Sequence, residues 1–249
     1  LNIPVAHVQG GEVTGSIDEK VRHAVTKLAD LHFVSSQRGG DRVRRMGEDP
    51  STVFVTGCPS IDLAAEVLCR PEFDFDSFTD YGGVGHALDL SNGYLVVMQH
   101  PVTTEYGQAE QQITETLLAL EELAMPTIML WPNVDAGSED IARGMRKFRE
   151  HHQLDFIRFY KNFPVETYLR LMKGAACLIG NSSSSIREGA FLGTPAVNIG
   201  SRQDGRERGP NVVDVPCQRS AIVRAVRQQI AHGPYAPAHI YGDGTAGVR

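Results

Sequence analysis

The sequence predicts an α/β protein built on parallel sheets. Short β-branched runs alternate with helical-period segments along nearly the whole chain, a repetition that calls for parallel strands flanked by helices on both faces. The stretches just after several strands are polar or turn-forming, at the sheet edge where ligands bind in such folds. With 249 residues, 41% of them hydrophobic, there is enough chain for one large domain or for one domain plus part of another.

Ile3–Val8 reads as a buried strand. A helix follows over Asp18–Ala29, because Val21, Ala24, Val25 and Leu28 share one face and Ser16-Ile-Asp-Glu19 offers a capping box. Strand His32–Ser35, helix Gln37–Met46 and strand Val53–Val55 come next, and the Gly57-Cys-Pro-Ser60 turn opens another helix. From Cys69 to Asn92 the periodicity gives way to aromatics, aspartates and glycines, which marks an inter-domain connection. The chain therefore divides into 1–68, a connection over 69–92, and 93–249.

Strand Tyr94–Met98 then precedes a helix carrying Ile113, Leu117, Leu118, Leu120 and Leu123. Strand Thr127–Trp131 leads to a helix from about Ser138, strand Phe156–Phe159 to one after Pro164, and strand Ala176–Ile179 to one near Ser185. Strand Ala196–Asn198 and a helix over about Ser220–Ala231 complete the order. Leu1 stands where a methionine would, and the chain stops at Arg249 after a glycine-punctuated turn, so a fragment is expected.

Several function classes are excluded. A net charge of −6 provides no basic field for nucleic acid, and no apolar run approaches the ~20 residues of a membrane helix. Cys58, Cys69, Cys177 and Cys217 are scattered without a CxxC pair, which suits a reduced, cytoplasmic setting with Cys177 as a buried strand residue. No metal is expected: Asp74-Phe-Asp76 matches a DxD pattern but lies in the connection, and His151 and His152, being adjacent, point to different faces. No GxGxxG follows a strand and no Walker-A motif occurs, so neither a dinucleotide cofactor nor ATP hydrolysis is expected.

The strand ends carry Gln9-Gly-Gly-Glu12, Gly57-Cys-Pro-Ser60, Gln99-His-Pro101, Pro132-Asn-Val-Asp135 and Gly180-Asn-Ser-Ser-Ser-Ser185. Together they form the rim of a cleft. The serine run delivers hydroxyls to a helix start, where unpaired N–H groups favour an anion such as a diphosphate. Equally, Ser185-Ile-Arg-Glu188 could be a second capping box, and Glu188 could instead take the two hydroxyls of a ribose. His100 precedes a proline and cannot lie within the sheet, so it could donate to a departing phosphate. Asn133 occupies the matching place one unit later. Arg202, Arg206 and Arg208 lie in a mobile-looking loop, mostly solvated, with one able to reach a nucleotide.

In combination, His7-Val-Gln-Gly-Gly-Glu-Val-Thr-Gly-Ser-Ile-Asp18, Gln99-His-Pro-Val-Thr-Thr104, Pro132-Asn-Val-Asp-Ala-Gly-Ser138, Asn181-Ser-Ser, Ile186-Arg-Glu188, Gly193-Thr-Pro195 and Tyr241-Gly-Asp-Gly244 resemble the UDP-N-acetylglucosamine 2-epimerases. The similarity is strongest to the hydrolysing branch of sialic-acid and related nonulosonate synthesis. It implies a GT-B fold of two Rossmann-like parallel-sheet domains, the first incomplete, beginning roughly a hundred residues before the point matching Leu1. It implies a UDP-sugar substrate, no cofactor, and a homo-oligomer in the full-length form. By position, Ser182 and Ser183 would bind the diphosphate, Glu188 the ribose, and Asn133 and Arg202 other parts of UDP. His100 would stabilise the leaving diphosphate, Asp18 would be an acid/base carboxylate, and Gln9 would line the sugar site. Many relatives carry a catalytic glutamate at the place of Gln9, which cannot take a proton, so Glu12 is the candidate for that role.

The hydrogen on C2 of an N-acetylhexosamine has no neighbouring carbonyl to acidify it. Without a nicotinamide fingerprint, elimination of UDP across C1–C2 followed by hydration is the expected route. The alternatives are re-addition of UDP, as in a non-hydrolysing epimerase, a GT-B glycosyltransferase using the same nucleotide site, and a non-catalytic UDP-sugar-binding fragment.

Overall fold

The computed structural model describes residues 3–70 and 81–249, so the Asp74-Phe-Asp76 pattern lies outside the described residues. The first part of the chain runs β1 (Ala6–Val8), α1 (Asp18–Leu28), β2 (Leu31–Val34), α2 (Gln37–Arg45), β3 (Val53–Val55) and α3 (Pro59–Cys69). Its strands form a parallel sheet in the order β1-β2-β3, with His7 beside His32 and His32 beside Val53. The strand expected over Ile3–Val8 is shorter because Pro4 has no N–H for the ladder; the carbonyl of Val5 instead receives the N–H groups of Asp30 and Leu31.

Burial corrects a second expectation. Val34, Val43 and Val53 make a small core on one face, but Val8 and Phe54 on the other are exposed. On that open face Phe33 stacks on Phe54 at 5.5 Å. The apolar stripe of α1 is also uncovered at Val21, Val25 and Leu28. Helices on both faces therefore describe only the second sheet.

That sheet comprises β4 (Leu95–Met98), β5 (Thr127–Leu130), β6 (Ile157–Tyr160), β7 (Cys177–Gly180), β8 (Ala196–Ile199) and β9 (Val212–Val215). The strands are all parallel, in the order β6-β5-β4-β7-β8-β9. Alternate residues feed two cores, as the period of two requires. Leu95, Val97, Met129 and Ile179 face α4 (Ala109–Leu123), α5 (Ser138–His151) and α9 (Arg219–His232). Val96, Ile128, Leu130 and Leu178 face the other way, toward α6 (Val165–Gly174), α8 (Glu188–Leu192) and α3. Burial raises the pKa of the Cys177 thiol, which lies in the first of these cores. The sequence reading missed β9, whose Val-Val-Asp-Val is only partly buried at the sheet edge. No helix among the described residues is long and apolar enough to cross a membrane.

The two parts of the chain are tied together by α3. Its Ile61, Ala64 and Val67 lie in one core with Tyr94, Phe191 and Tyr241. Asp62 accepts the N–H groups of Ala246 and Gly247 at 2.9 and 2.7 Å, and Cys58 N–H donates to the Tyr241 carbonyl at 2.7 Å. The Tyr241-Gly-Asp-Gly244 motif thus carries the chain back from the second sheet onto α3.

Neither expected capping box forms. Glu19 accepts from the N–H of Thr14, and Ser16 donates to Asp18 at 2.9 Å. The helix expected near Ser185 breaks at Arg187 (ψ −71°) into α7 (Ser183–Ile186) and α8, and Ser182 caps α7 by accepting from Ser184 N–H. The break turns Glu188 away from Ser185 and toward Ser60.

Candidate functional site

The strand ends of the two sheets meet across a cleft. Gly15 N–H donates to the carbonyl of Arg202 at 3.1 Å, and the hydroxyl of Thr104 donates to the carbonyl of Gly15 at 3.1 Å. The approach is so close that a Cβ on Gly15 would sit 1.9 Å from the carbonyl oxygen of Ser201. Only glycine fits there.

Behind this contact lies a buried ion pair. Glu12 meets Arg206 at 2.5 Å, each side chain 5% exposed, and the other carboxylate oxygen accepts from Ser35 at 2.6 Å. Burial alone would raise the Glu12 pKa, but Arg206, Arg187 and the Ser35 hydroxyl outweigh it and hold the carboxyl below its usual range. The loop of Arg202, Arg206 and Arg208 is therefore not a solvated one. Arg208 pairs with Asp214 at 2.7 Å. Arg202 donates to the Asn181 carbonyl at 3.2 Å and to Asp135 at 3.3 Å, and it approaches Asp18 to 3.9 Å. Asp18 itself is half exposed at the start of α1.

His100 lies outside the sheet, as expected, yet is largely buried. Its backbone is locked to Asn181, which accepts from His100 N–H at 2.7 Å and donates to its carbonyl at 2.8 Å. Asn133 N–H donates to Nδ1 at 3.2 Å, so that nitrogen carries the lone pair and the proton of the neutral ring sits on Nε2. Burial, then Arg202, lowers the pKa to about 4, against the weaker opposing pull of Asp135 and Asn133. His100 is thus a neutral donor near pH 7. Long-range proton–nitrogen NMR should show the Nε2–H tautomer persisting down to about pH 5, whereas a midpoint near 6.5 would overturn the assignment.

At the end of β7, Ser182, Ser183 and Ser184 open the one-turn α7. Ser184 lies 2.9 Å from Ser182 and 2.8 Å from the hydroxyl of Tyr168, and Ser183 accepts from Arg187 at 3.3 Å. A single turn has little macrodipole, so an anion there would rest chiefly on hydroxyls and individual N–H groups. Gln9, at φ 64°, is held in the left-handed region by its N–H bond to the Phe33 carbonyl at 2.8 Å. Its side-chain oxygen accepts from Arg187 at 3.0 Å, and its amide donates to the sulfur of Cys58 at 2.8 Å. Cys58 is 2.9 Å from Ser60, and Ser60 donates to Glu188.

The structure thus brings Gln9, Glu12, Asp18, His100, Asn133, Ser182, Ser183, Glu188 and Arg202 to one cleft. Sequence reasoning missed Ser35, Asp135, Arg187 and the pairing of Arg206. The strand-end rule applied to β2 would have found Ser35, and Asp135 and Arg187 stood within quoted motifs; nothing local pointed to the pairing of Arg206 with Glu12.

A family model described as UDP-N-acetylglucosamine 2-epimerase matches residues 1–249. The chain is 32% identical over 249 residues to a Legionella pneumophila protein named UDP-N,N'-diacetylbacillosamine 2-epimerase (hydrolyzing), covering 100% of this chain and 63% of that one. It is 35% identical over 228 residues to polysialic acid biosynthesis protein P7 of Escherichia coli, covering 90% and 56%. It therefore spans less than two-thirds of either relative. The crystal structure of Methanocaldococcus jannaschii UDP-GlcNAc 2-epimerase in complex with UDP-GlcNAc and UDP superposes with a TM-score of 0.74 at 15% identity, covering 98% of this chain and 67% of that one. That likeness shows the fold, a GT-B arrangement of parallel-sheet α/β units.

Proposed function

The chain belongs to the UDP-N-acetylglucosamine 2-epimerase family, and from that premise we propose that it forms the nucleotide-holding part of a hydrolysing 2-epimerase. The substrate would be UDP-N-acetylglucosamine or a related UDP-2-acetamido sugar, and the products UDP and the free, C2-inverted sugar. The observation that carries this reading is Glu188: a buried carboxylate with one oxygen lacking any hydrogen-bond partner among the described residues, one turn beyond a hydroxyl-rich loop. Such a group needs a donor, which a ligand hydroxyl would supply. Relatives whose names include "hydrolyzing", at 32% and 31% identity, support the water-adding outcome.

In this mechanism Ser182 and Ser183 hold the diphosphate, Glu188 the ribose, and Asn133 and Arg202 further parts of UDP. The C1–O bond breaks with its electron pair going to UDP, and Nε2–H of His100 donates to the charge that develops there. A carboxylate takes the C2 proton, leaving a C1=C2 glycal. Water then adds its oxygen to C1, and a proton returns to C2 from the opposite face. Asp18, half exposed at the cleft, is the carboxylate poised for this work. Glu12 joins it only when Arg206 and Ser35 release its oxygens, and Gln9 lines the sugar end without carrying a proton.

The division into 1–68, 69–92 and 93–249, with 1–68 as the closing portion of the first Rossmann-like domain, belongs to the same reading. So do a cytoplasmic location, a homo-oligomeric full-length form, and a place in nonulosonate synthesis, the last supported by the relative named for polysialic acid biosynthesis.

Calorimetry tests the proposal. The folded chain should bind UDP, and Ser182→Ala/Ser183→Ala should weaken binding by roughly 10–100-fold, since hydrogen bonds to charged groups contribute about 1.5–3 kcal/mol. A folded sample that does not take up UDP would remove the basis of the assignment.

A further inference from the structure

The two oxygens of Glu188 are treated unequally. Oε1 accepts from the Ser60 hydroxyl and lies 3.8 Å from Arg187, while Oε2 is buried and unpartnered. Ser60 belongs to the start of α3, 128 positions earlier in the chain and across the cleft. It also closes a ring of side chains in which each polar group has a definite sense. Arg187 can only donate, so the Gln9 oxygen accepts and its amide donates to the sulfur of Cys58. The Ser60 proton is committed to the carboxylate, so Ser60 faces Cys58 as an acceptor for the thiol proton. The series of bonds ends on Oε1 of Glu188, and among the described residues Oε2 has no hydrogen-bond partner.

We propose that Ser60 is a positioning residue which, by holding Oε1, turns Oε2 of Glu188 toward a ribose hydroxyl, so that the nucleotide is read by both halves of the chain. This rests on the UDP reading above. A carboxylate without that anchor could swing its plane and aim its lone pairs over a range of directions; one held at Oε1 keeps Oε2 on one line and so discriminates between a ribose and a sugar lacking the hydroxyl it faces. A merely structural role at the first turn of α3 would weaken all ligands alike or none.

The experiment compares UDP with 2′-deoxy-UDP and 3′-deoxy-UDP by calorimetry on the wild-type chain, S60A and S60T. The wild type should prefer UDP over at least one deoxy analogue by about tenfold or more, the worth of a lost hydrogen bond to a charged group. S60A should weaken UDP by about tenfold and narrow that preference to roughly threefold or less, while S60T, which keeps the hydroxyl, should restore it. Should S60A not fold, S60C, of similar volume and with a weaker donor, reports the same ratio. An unchanged preference in a folded S60A or S60C, or equal weakening toward every ligand, overturns the proposal. A wild type that binds UDP without preferring it to either analogue overturns it too, yet leaves the UDP reading standing. A wild type that binds no UDP fails the underlying reading instead.

Discussion

Arg206→Ala is expected to destabilise the folded chain by about 3–5 kcal/mol, the usual cost of breaking a buried ion pair from one side. Both partners are almost wholly buried, and the loss would leave an ionised Glu12 with the Ser35 hydroxyl and the more distant Arg187 and Arg22. Replacing both residues by Met should recover most of the loss, because the penalty belongs to the unpaired charge rather than to the missing contact. The sign with pH follows from Glu12, whose folded-state pKa lies below its reference value of 4.5. Its stabilising contribution is complete above that value and fades as pH falls through the depressed folded one. The gap between wild type and variant should accordingly be widest above about pH 4.5 and shrink in acid. Urea denaturation at several pH values measures this. A loss below about 1 kcal/mol, the level of an exposed pair, would show that Glu12 is solvated in solution.

The second large effect is on turnover. In a protein of the relatives' full length that carries this chain, Asp18→Asn should slow proton exchange at C2 by about 10²–10⁴-fold while leaving UDP affinity intact. As a first-turn acid on α1, Asp18 contributes only about 0.3–1 kcal/mol of helix-end electrostatics, and asparagine forfeits that without unfolding the chain. Asparagine can still accept from Ser16, but it cannot take a proton. Turnover in D₂O with inspection of C2 in the product separates the two roles. Deuterium incorporation at a near-normal rate would reduce Asp18 to a helix-start residue and leave Glu12 as the candidate for the proton transfer.

What local pattern could determine, the sequence determined. Apart from β9 and the α7–α8 break, the order of strands and helices was legible because side-chain periods of two and 3.6 depend on neighbours within a turn. The strand-end positions of Gln9, His100, Asn133, Ser182 and Ser183 were legible too, since parallel sheets gather their strand ends at one edge. Where partners lie far apart in sequence, the tertiary structure decided. Glu12 and Arg206 are 194 positions apart, and nothing around either residue announces the other. The Ser185 capping box failed for the same reason, because the break at Arg187 carried Glu188 to Ser60 across the cleft, whereas the Ser16 box lost to a local rival, the N–H of Thr14, from which Glu19 accepts. The apolar residues of β1 and α1 suggested burial, but hydropathy states only what a residue prefers. Whether a face is covered depends on what packs against it, and among the described residues nothing covers Val8, Val25 or Phe54 well enough to bury them.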